Sequence, residues 1–336
     1  MNFNQNSGYG RALLDSVRSA VPTFGRVFIV MDPDDYDEEN FQRMKEVFLD
    51  DPLGKIRFYT DLATAYDAME SNNNDVCVLD GNSTHALTAE LNITKNRCHF
   101  IGLDYLMGIK RKQGQSSKIG IGVTVATGDV SAILNTGVRN SFRGLKISST
   151  NTLTQALYSF VDGGEYTYMD SCEVVFLGKL TATNVADLVC NGDSSVYKNM
   201  SFGSTAQEVT ANGARPNVLL TGGIVSGKKA RDVRFENCDF LYKCGDVDNR
   251  FVYGANATDV ERLMKFENCM FFNNPLSATT PAIAVTVGAA QTEGSIFLDS
   301  RCSIVDVTVM AGTGLGIYTL APSSPTYATS GLSVNA

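Results

Sequence analysis

From Asp75 onward the chain runs in short stretches of alternating apolar and polar residues, each closed by Gly, Asn, Asp or Ser. A period of two with turn residues between the runs predicts short strands. The runs are DVCVLDG (75–81), HALTAELNIT (85–94), RCHFIGLD (97–104), KIGIGVTVAT (118–127), RNSFRGLKI (139–147) and EYTYMDSCEVVFLG (165–178). Upstream the pattern differs. GRVFIVM (25–31) and KIRFY (55–59) read as strands. Phe41, Met44, Val47 and Phe48 fall at helical spacing between 38 and 49, with Asp37 placed to cap. A second helix is predicted over 61–70, with Leu62, Ala65, Tyr66 and Met69 on one side and Asp61 as its cap. Residues 1–24 read as an arm with a weakly amphipathic stretch from Arg11 to Val21, ended by Pro22.

The strand-rich part repeats. SFRGLKI (141–147), TYMDSCEVV (167–175), VYKNMSF (196–202), VRFENCDF (233–240), KFENCMF (265–271) and FLDSRCSI (297–304) align on Gly144, Ser171, Asn199, Asn237, Asn268 and Ser300. The steps between these centres are 27, 28, 38, 31 and 32 residues. The residue after the centre is Leu145, Cys172, Met200, Cys238 or Cys269, and the last copy brings in Cys302 only with a one-residue insertion. A period of about 20 to 50 residues means stacked supersecondary units, and most of these steps are too short for propeller blades of four strands. The expected fold is mainly β: a right-handed parallel β-helix, a pectin-lyase-like solenoid, with a small α/β N-terminal cap. The division is an arm (1–24), a cap region (25–74) and a β-helix (75–336) ending in a thin last coil. Stacked coils superpose equivalent positions at roughly 4.8 Å. Cys172, Met200, Cys238 and Cys269 should then form a buried column, with Asn237 and Asn268 as a side-chain ladder at the bend. A bare solenoid end must be covered, and the helix at 61–70 is placed to do so.

Composition narrows the function. A net charge of -8 and a pI near 4.9 disfavour nucleic acid as a partner, because phosphate binding needs clustered Lys and Arg. No run of 18 apolar residues predicts a membrane helix, and the N-terminus lacks the apolar core of a secretory signal, so synthesis in a cytoplasm is expected. The eight cysteines contain no CxxC pair, which argues against zinc-type spacing and for buried reduced thiols.

Candidate chemistry is sparse. GGIVSGKK (222–229) matches a phosphate loop at Gly222, Gly227 and Lys228, but Lys229 replaces the Ser or Thr that would hold magnesium, and a strand follows. Asp170, Glu236, Glu267 and Asp299 would stack as an acidic column. Paired carboxylates serve glycosidases, yet an outward, solvated position on each strand is the plainer reading. His85 and His99 lie near no G-x-S-x-G elbow and are expected to pack or bond a turn. DPDDYDEEN lacks the glycine and closing Glu of an EF-hand loop, leaving only a weak cation site. NAT (256–258) matches a glycan acceptor without a secretory context. No catalytic, cofactor-binding or metal residue is assigned, and no cofactor is expected.

The runs DVCVLDGNSTHALTAELNITKNRCHFIGLD, TGVRNSFRGLKI, GGEYTYMDSCEV and GANATDVERLMKFENCMFFNNPLSA resemble proteins encoded by marine tailed bacteriophages, over about residues 60–336. The resemblance implies a β-helical virion protein, a homotrimer, and carries over no site residue. The expected function is a capsid decoration protein, not an enzyme, located on the virion and made in the bacterial cytoplasm. Its N-terminal region would dock on the major capsid protein. Symmetric trimers suit local three-fold positions of a shell. The alternative is a tail fibre or tailspike that meets tail or baseplate proteins and binds, or cleaves, host polysaccharide. That reading predicts a groove with rings drawn from Tyr166, Tyr168, Phe176, Tyr197 and Phe235. A cellular pectin-lyase-like enzyme is the third reading.

Overall fold

The computed structural model describes residues 7–35, 37–49, 54–81, 84–108, 117–121, 131–150, 158–177, 185–209, 215–274, 279–289, 291–312 and 316–320. Part of the strand expected at 118–127 and the trailing residues 321–336 lie outside them. Among the described residues every strand pair is parallel, and the strands form three sheets of eleven, eight and eight strands. The chain visits the sheets in rotation. One coil, for example, uses Val233–Glu236 in the first sheet, Asp239–Cys244 in the second and Val252–Gly254 in the third. The next coil lays Leu263–Glu267, Met270–Asn273 and Ile283–Val287 on these three strands. This is the expected right-handed parallel β-helix, with the hand that parallel crossovers take almost without exception.

Inward positions repeat from coil to coil. In the first sheet the column runs Cys77, Phe100, Phe142, Met169, Tyr197, Phe235, Phe266 and Leu298. All eight are fully buried. Rings on successive coils stack: Tyr197 on Phe235 at 4.7 Å, Phe235 on Phe266 at 4.8 Å, and Phe240 on Phe271 at 4.8 Å. Offset stacking suits the aromatic quadrupole and adds to burial.

The bend between the first and second sheets is where the aligned centres fall. Gly144, Ser171, Asn199, Asn237 and Asn268 all have φ between 51° and 62°. This left-handed region excludes most L-residues and suits Gly and Asn. Gly144 is further restricted, since a Cβ there would lie 2.3 Å from Cβ of Tyr105. The asparagines form the expected ladder. Asn268 Nδ2 donates to Asn237 Oδ1 (2.8 Å), Asn237 Nδ2 to Asn199 Oδ1 (3.4 Å), and Asn199 Nδ2 to Asp170 Oδ1 (3.0 Å). The next residues point inward, and Leu145, Cys172, Met200, Cys238, Cys269 and Cys302 are all buried. Their thiols close carbonyls at the bend: Cys238 Sγ donates to Tyr197 O (3.3 Å) and Cys302 Sγ to Phe266 O (3.4 Å). The last copy carries the expected insertion. Leu298 pairs with Phe266 and Ser303 with Met270, so four residues replace three, and the chain turns without a left-handed residue. The bend yields a stability test. Asn237→Val puts a β-branched residue in the left-handed region, costing about 1–2 kcal/mol, and removes two ladder bonds of about 1 kcal/mol each. A loss of about 3 kcal/mol is expected in urea unfolding. Asn237→Gly, which keeps the backbone, should lose about half as much.

At the N-terminal end the α/β cap region is joined to the solenoid: Val27–Val30 pairs with both Ile56–Tyr59 and Val76–Leu79 and extends the first sheet. The expected arm forms helix α1 (Ser7–Ala20), docked on the outer face of that sheet. Val27, Ile29, Val76, Val78 and Ile101 make this part of the outer face apolar, and Leu13, Leu14 and Val17 of α1 bury against it together with Phe41 of α2 (Glu38–Leu49). The arm therefore supplies core, because the first strands are apolar on both faces. Helix α2 is capped as expected, with Asn40 N donating to Asp37 Oδ1 at 2.8 Å. Helix α3 (Leu62–Ala68) is capped by Asp61, whose carboxylate accepts from Thr64 N at 2.7 Å, and its Leu62, Ala65 and Tyr66 close the solenoid core with Met69. At the other end Ile317–Thr319 pairs with the first-sheet strand before it, leaving Tyr318 and Leu320 exposed.

Candidate functional site

The proposed carboxylate column exists in register, but it is not an acidic stripe. On the outer face of the first sheet the column reads Ile101, Arg143, Asp170, Lys198, Glu236 and Glu267, with Asp299 next to the paired Leu298. Each acid has its own partner. Glu236 meets Arg234 (2.9 Å) and Lys198 (3.8 Å), Glu267 meets Lys265 (2.6 Å) and Arg234 (3.4 Å), and Asp299 meets Arg301 (2.6 Å). Burial pushes the Asp299 carboxyl up, but hydrogen bonds from the Asn268 N–H and from Arg301 outweigh it, and the net direction is down. Ion pairs of this exposure contribute little stability each; their use here is to keep like charges on neighbouring coils from repelling.

Asp170 is the member that leaves solvent. Helix α4 (Leu103–Leu106) carries Tyr105 over it, and Tyr105 OH donates to Asp170 Oδ2 at 2.9 Å. Ser171 Oγ and Asn199 Nδ2 donate to Oδ1, each at 3.0 Å. The carboxylate ends the asparagine ladder and anchors α4. Beside it, the Arg143 guanidinium lies 5.2 Å above the Tyr168 ring and donates to Ala20 O at the end of α1. His99 shares Nδ1 with Ser141 Oγ at 2.8 Å, and burial first, then Arg143, lowers it to about 4, so the ring is neutral. A half-buried neutral imidazole bound to a buried hydroxyl positions the sheet; Ser141 is 4% exposed and unavailable as a nucleophile.

Two buried acids went unremarked in the sequence. Asp162 points into the solenoid, in register with Asn135 and Cys190 of the third sheet. It accepts from Asn135 Nδ2 (3.2 Å), Gly164 N (3.0 Å), Thr167 Oγ1 (2.8 Å), Ser195 Oγ (2.8 Å) and Tyr197 OH (2.5 Å). Burial raises its pKa despite these five donors. Asp187 sits at the corner between the second and third sheets. Its carboxylate accepts from Phe176 N (2.6 Å) and Asn217 Nδ2 (2.7 Å), and burial pushes it up to about 6 against these bonds and Arg215. A carboxyl that titrates near neutrality has the proton affinity of a general acid. The cavity beside it, about 20 Å³, admits one water and no sugar ring. The sequence signal for Asp162 was an acid closing the apolar run YSFVD, visible only if third-sheet strands are aligned as the first-sheet ones were.

The Asp187 shift has a thermodynamic consequence. Its folded pKa lies above the unfolded value of about 3.9, so its contribution is full below about pH 4 and is lost as pH rises to about 6. His99 acts oppositely between its unfolded value near 6.5 and about 4, where stability rises with pH. Comparing Asp187→Asn with the parent isolates the acid: the difference in unfolding free energy should change between pH 4 and 6 and be flat above 7.

The remaining candidates fall apart as sites. Residues 222–227 form a turn whose Ile224 and Val225 pack on the outer face of the third sheet, while Lys228 pairs with Glu165 (3.0 Å) and Lys229 with Glu293 (2.6 Å). His85 is buried, with Nε2 3.0 Å from Asp80 O. In the acidic turn Asp32 receives Asp34 N and Asp37 caps α2. Among the described residues no three His, Cys, Asp or Glu side chains converge as metal ligands. The five candidate rings do not share a groove: Tyr197 and Phe235 are core, Phe176 is 3% exposed under Arg215, and only Tyr166, 52% exposed beside Arg139, faces outward freely.

No family model matches the chain, and no curated protein is significantly similar to it. Among solved structures the chain is similar to a pectin methylesterase mutant in complex with a hexasaccharide, at 13% identity over 88% of this chain and 81% of that one, with a TM-score of 0.49. It is similar to a pectin methylesterase from Aspergillus niger, at 10% identity over 78% and 77%, with a TM-score of 0.46. It is also similar to a pectate lyase, at 8% identity over 90% and 79%, with a TM-score of 0.45.

Proposed function

We propose that this chain is a structural protein of a tailed-phage virion, a homotrimeric decoration of the capsid attached through its N-terminal region. The observation that supports this reading is the uninterrupted in-register stack of the first sheet, from Ile56–Tyr59 to Ile317–Thr319, with its core closed at one end by α3 and the outer face of its first strands covered by α1 and α2. A sheet of eleven parallel strands around a ring-stacked core is a stiff rod, and its cap is built differently from its coils. Because α1 is packed against the outer face of the sheet, the attachment surface proposed is the solvent side of α2, where Glu38, Glu39, Gln42, Arg43 and Glu46 are exposed. Quantitative mass spectrometry of purified particles tests the reading. Hundreds of copies per virion are expected, and a charge-reversed Glu39→Lys/Arg43→Glu variant should fold normally and lose occupancy. Absence from particles overturns the proposal, and a few dozen copies or fewer at the tail select the second reading.

That second reading is a tail protein that binds host polysaccharide. Tyr166 and Arg139 favour it, as an exposed ring and guanidinium 5.5 Å apart on adjacent coils. Incubation with host surface glycan and an assay for new reducing ends separates binding from cleavage.

A further inference from the structure

We infer that the corner cavity beside Asp187 holds one resident water molecule, which joins Arg215 to Asn217 and completes a solvent-mediated pair with the Asp187 carboxylate. Three coils contribute to the cavity: Phe176 and Asp187 from one, Gly203, Val209, Arg215 and Asn217 from the next, and Leu241 and Tyr242 from the third. The room is made by a slip in register between Gly203 and Glu208. At Gly203 φ is +83°, and a Cβ would stand 2.2 Å from Asn217 Nδ2 and 2.3 Å from Leu241 O, so only glycine lets the strand pass.

The lining is polar and incomplete. Arg215 is 5% exposed; its Nη2 donates to Phe176 O (2.8 Å) and its guanidinium lies 4.7 Å from the centre of the Phe176 ring. Its Nη1 is buried with no partner among the described residues. Asn217 is 1% exposed; its Nδ2 donates to Asp187 Oδ2 and Leu241 O, and its Oδ1 is likewise buried and unpartnered. One orphan is a donor and the other an acceptor. Leaving both unmade is costly, and one molecule that accepts from Arg215 and donates to Asn217 satisfies both. A water does this and fits about 20 Å³. A chloride would satisfy Arg215 but oppose Asn217 Oδ1 and the neighbouring carboxylate; a metal cation would oppose the guanidinium. Burial, which lowers the Arg215 pKa and raises that of Asp187, leaves both groups in need of solvation at this corner.

Two measurements test the inference. A crystal structure of the full chain that resolves ordered solvent should show one fully occupied oxygen about 2.7–3.2 Å from both Arg215 Nη1 and Asn217 Oδ1. An empty cavity, an anomalous halide peak, or direct Arg215–Asp187 contact overturns it. The sign of a filling substitution gives an independent answer. In a dry cavity Val209→Leu should raise the unfolding midpoint, as cavity filling does. With a resident water, the added methylene displaces it, strands both polar groups and lowers the midpoint. A raised midpoint contradicts the proposal.

Discussion

Asp162→Ala is expected to cost about 5 kcal/mol of unfolding free energy, a large share of the 5–15 kcal/mol that holds a typical domain together. The carboxylate is fully buried and receives five hydrogen bonds. Alanine removes the acceptor and keeps the donors. Each stranded donor costs about 1–3 kcal/mol, and some re-pair, since Asn135 Nδ2 already reaches Thr167 Oγ1 at 2.9 Å. Asp162→Asn should cost less, about 2 kcal/mol, because the hydroxyls of Ser195 and Tyr197 can turn to accept from the new amide. Guanidinium denaturation of both variants checks the ranking. An alanine variant within 1 kcal/mol of the parent would mean that the interior network is absent in solution.

Phe235→Ala is expected to cost about 3–5 kcal/mol, the range for deleting a buried ring from a core. Phe235 is wholly buried between Tyr197 and Phe266 and touches Phe202 and Phe240 edge-on or tilted at 5.8 Å. The coils above and below are tied by their own ladders and cannot close the gap. Phe297 provides the contrast. It lies one residue out of phase, half-buried on the outer face, and Phe297→Ala should cost under about 1 kcal/mol. Combining Phe235→Ala with Phe266→Ala should be non-additive, since the two rings share one stack. Equal costs for Phe235 and Phe297 would mean that the inward and outward faces are misassigned.

The first sheet and its bend were legible in the sequence because five successive coils, those of Gly144, Ser171, Asn199, Asn237 and Asn268, use the same kinds of residue there. An alternating apolar run, a left-handed Asn, Ser or Gly, and a small inward side chain recur whatever the neighbouring coil does. Asn237 and Asn268 revealed both the register and the ladder. The third sheet was not legible, because the connections leading into it differ in length from coil to coil, so Asp162 and Cys190 do not line up by eye. Helix α1 looks like an arm in the sequence because its apolar stripe is short; its meaning lies in Val27, Ile29, Val76 and Val78, which leave the first strands apolar on both faces. The carboxylate column was legible as a register and not as a charge pattern. Arg143 and Lys198 occupy the same column, and Arg234 and Lys265 stand two residues before their glutamates on the same face. Arg215 and Asn217 approach Asp187 only through the slip at Gly203, which no periodicity announces.

Everything rests on the coils stacking in register, and one distance tests that directly. Thr84 in the first coil and Ser303 in the last lie in a single second-sheet column through Lys118, Lys146, Glu173, Ser201, Asp239 and Met270. Seven strand-to-strand steps of roughly 4.8 Å put the two Cα atoms about 34 Å apart. Spin labels on Thr84→Cys and Ser303→Cys, with the eight native thiols buried, should give one narrow distance distribution centred within a few ångströms of that value in pulsed electron–electron resonance. A broad distribution, or a centre below about 25 Å, would contradict the stack on the same spacing.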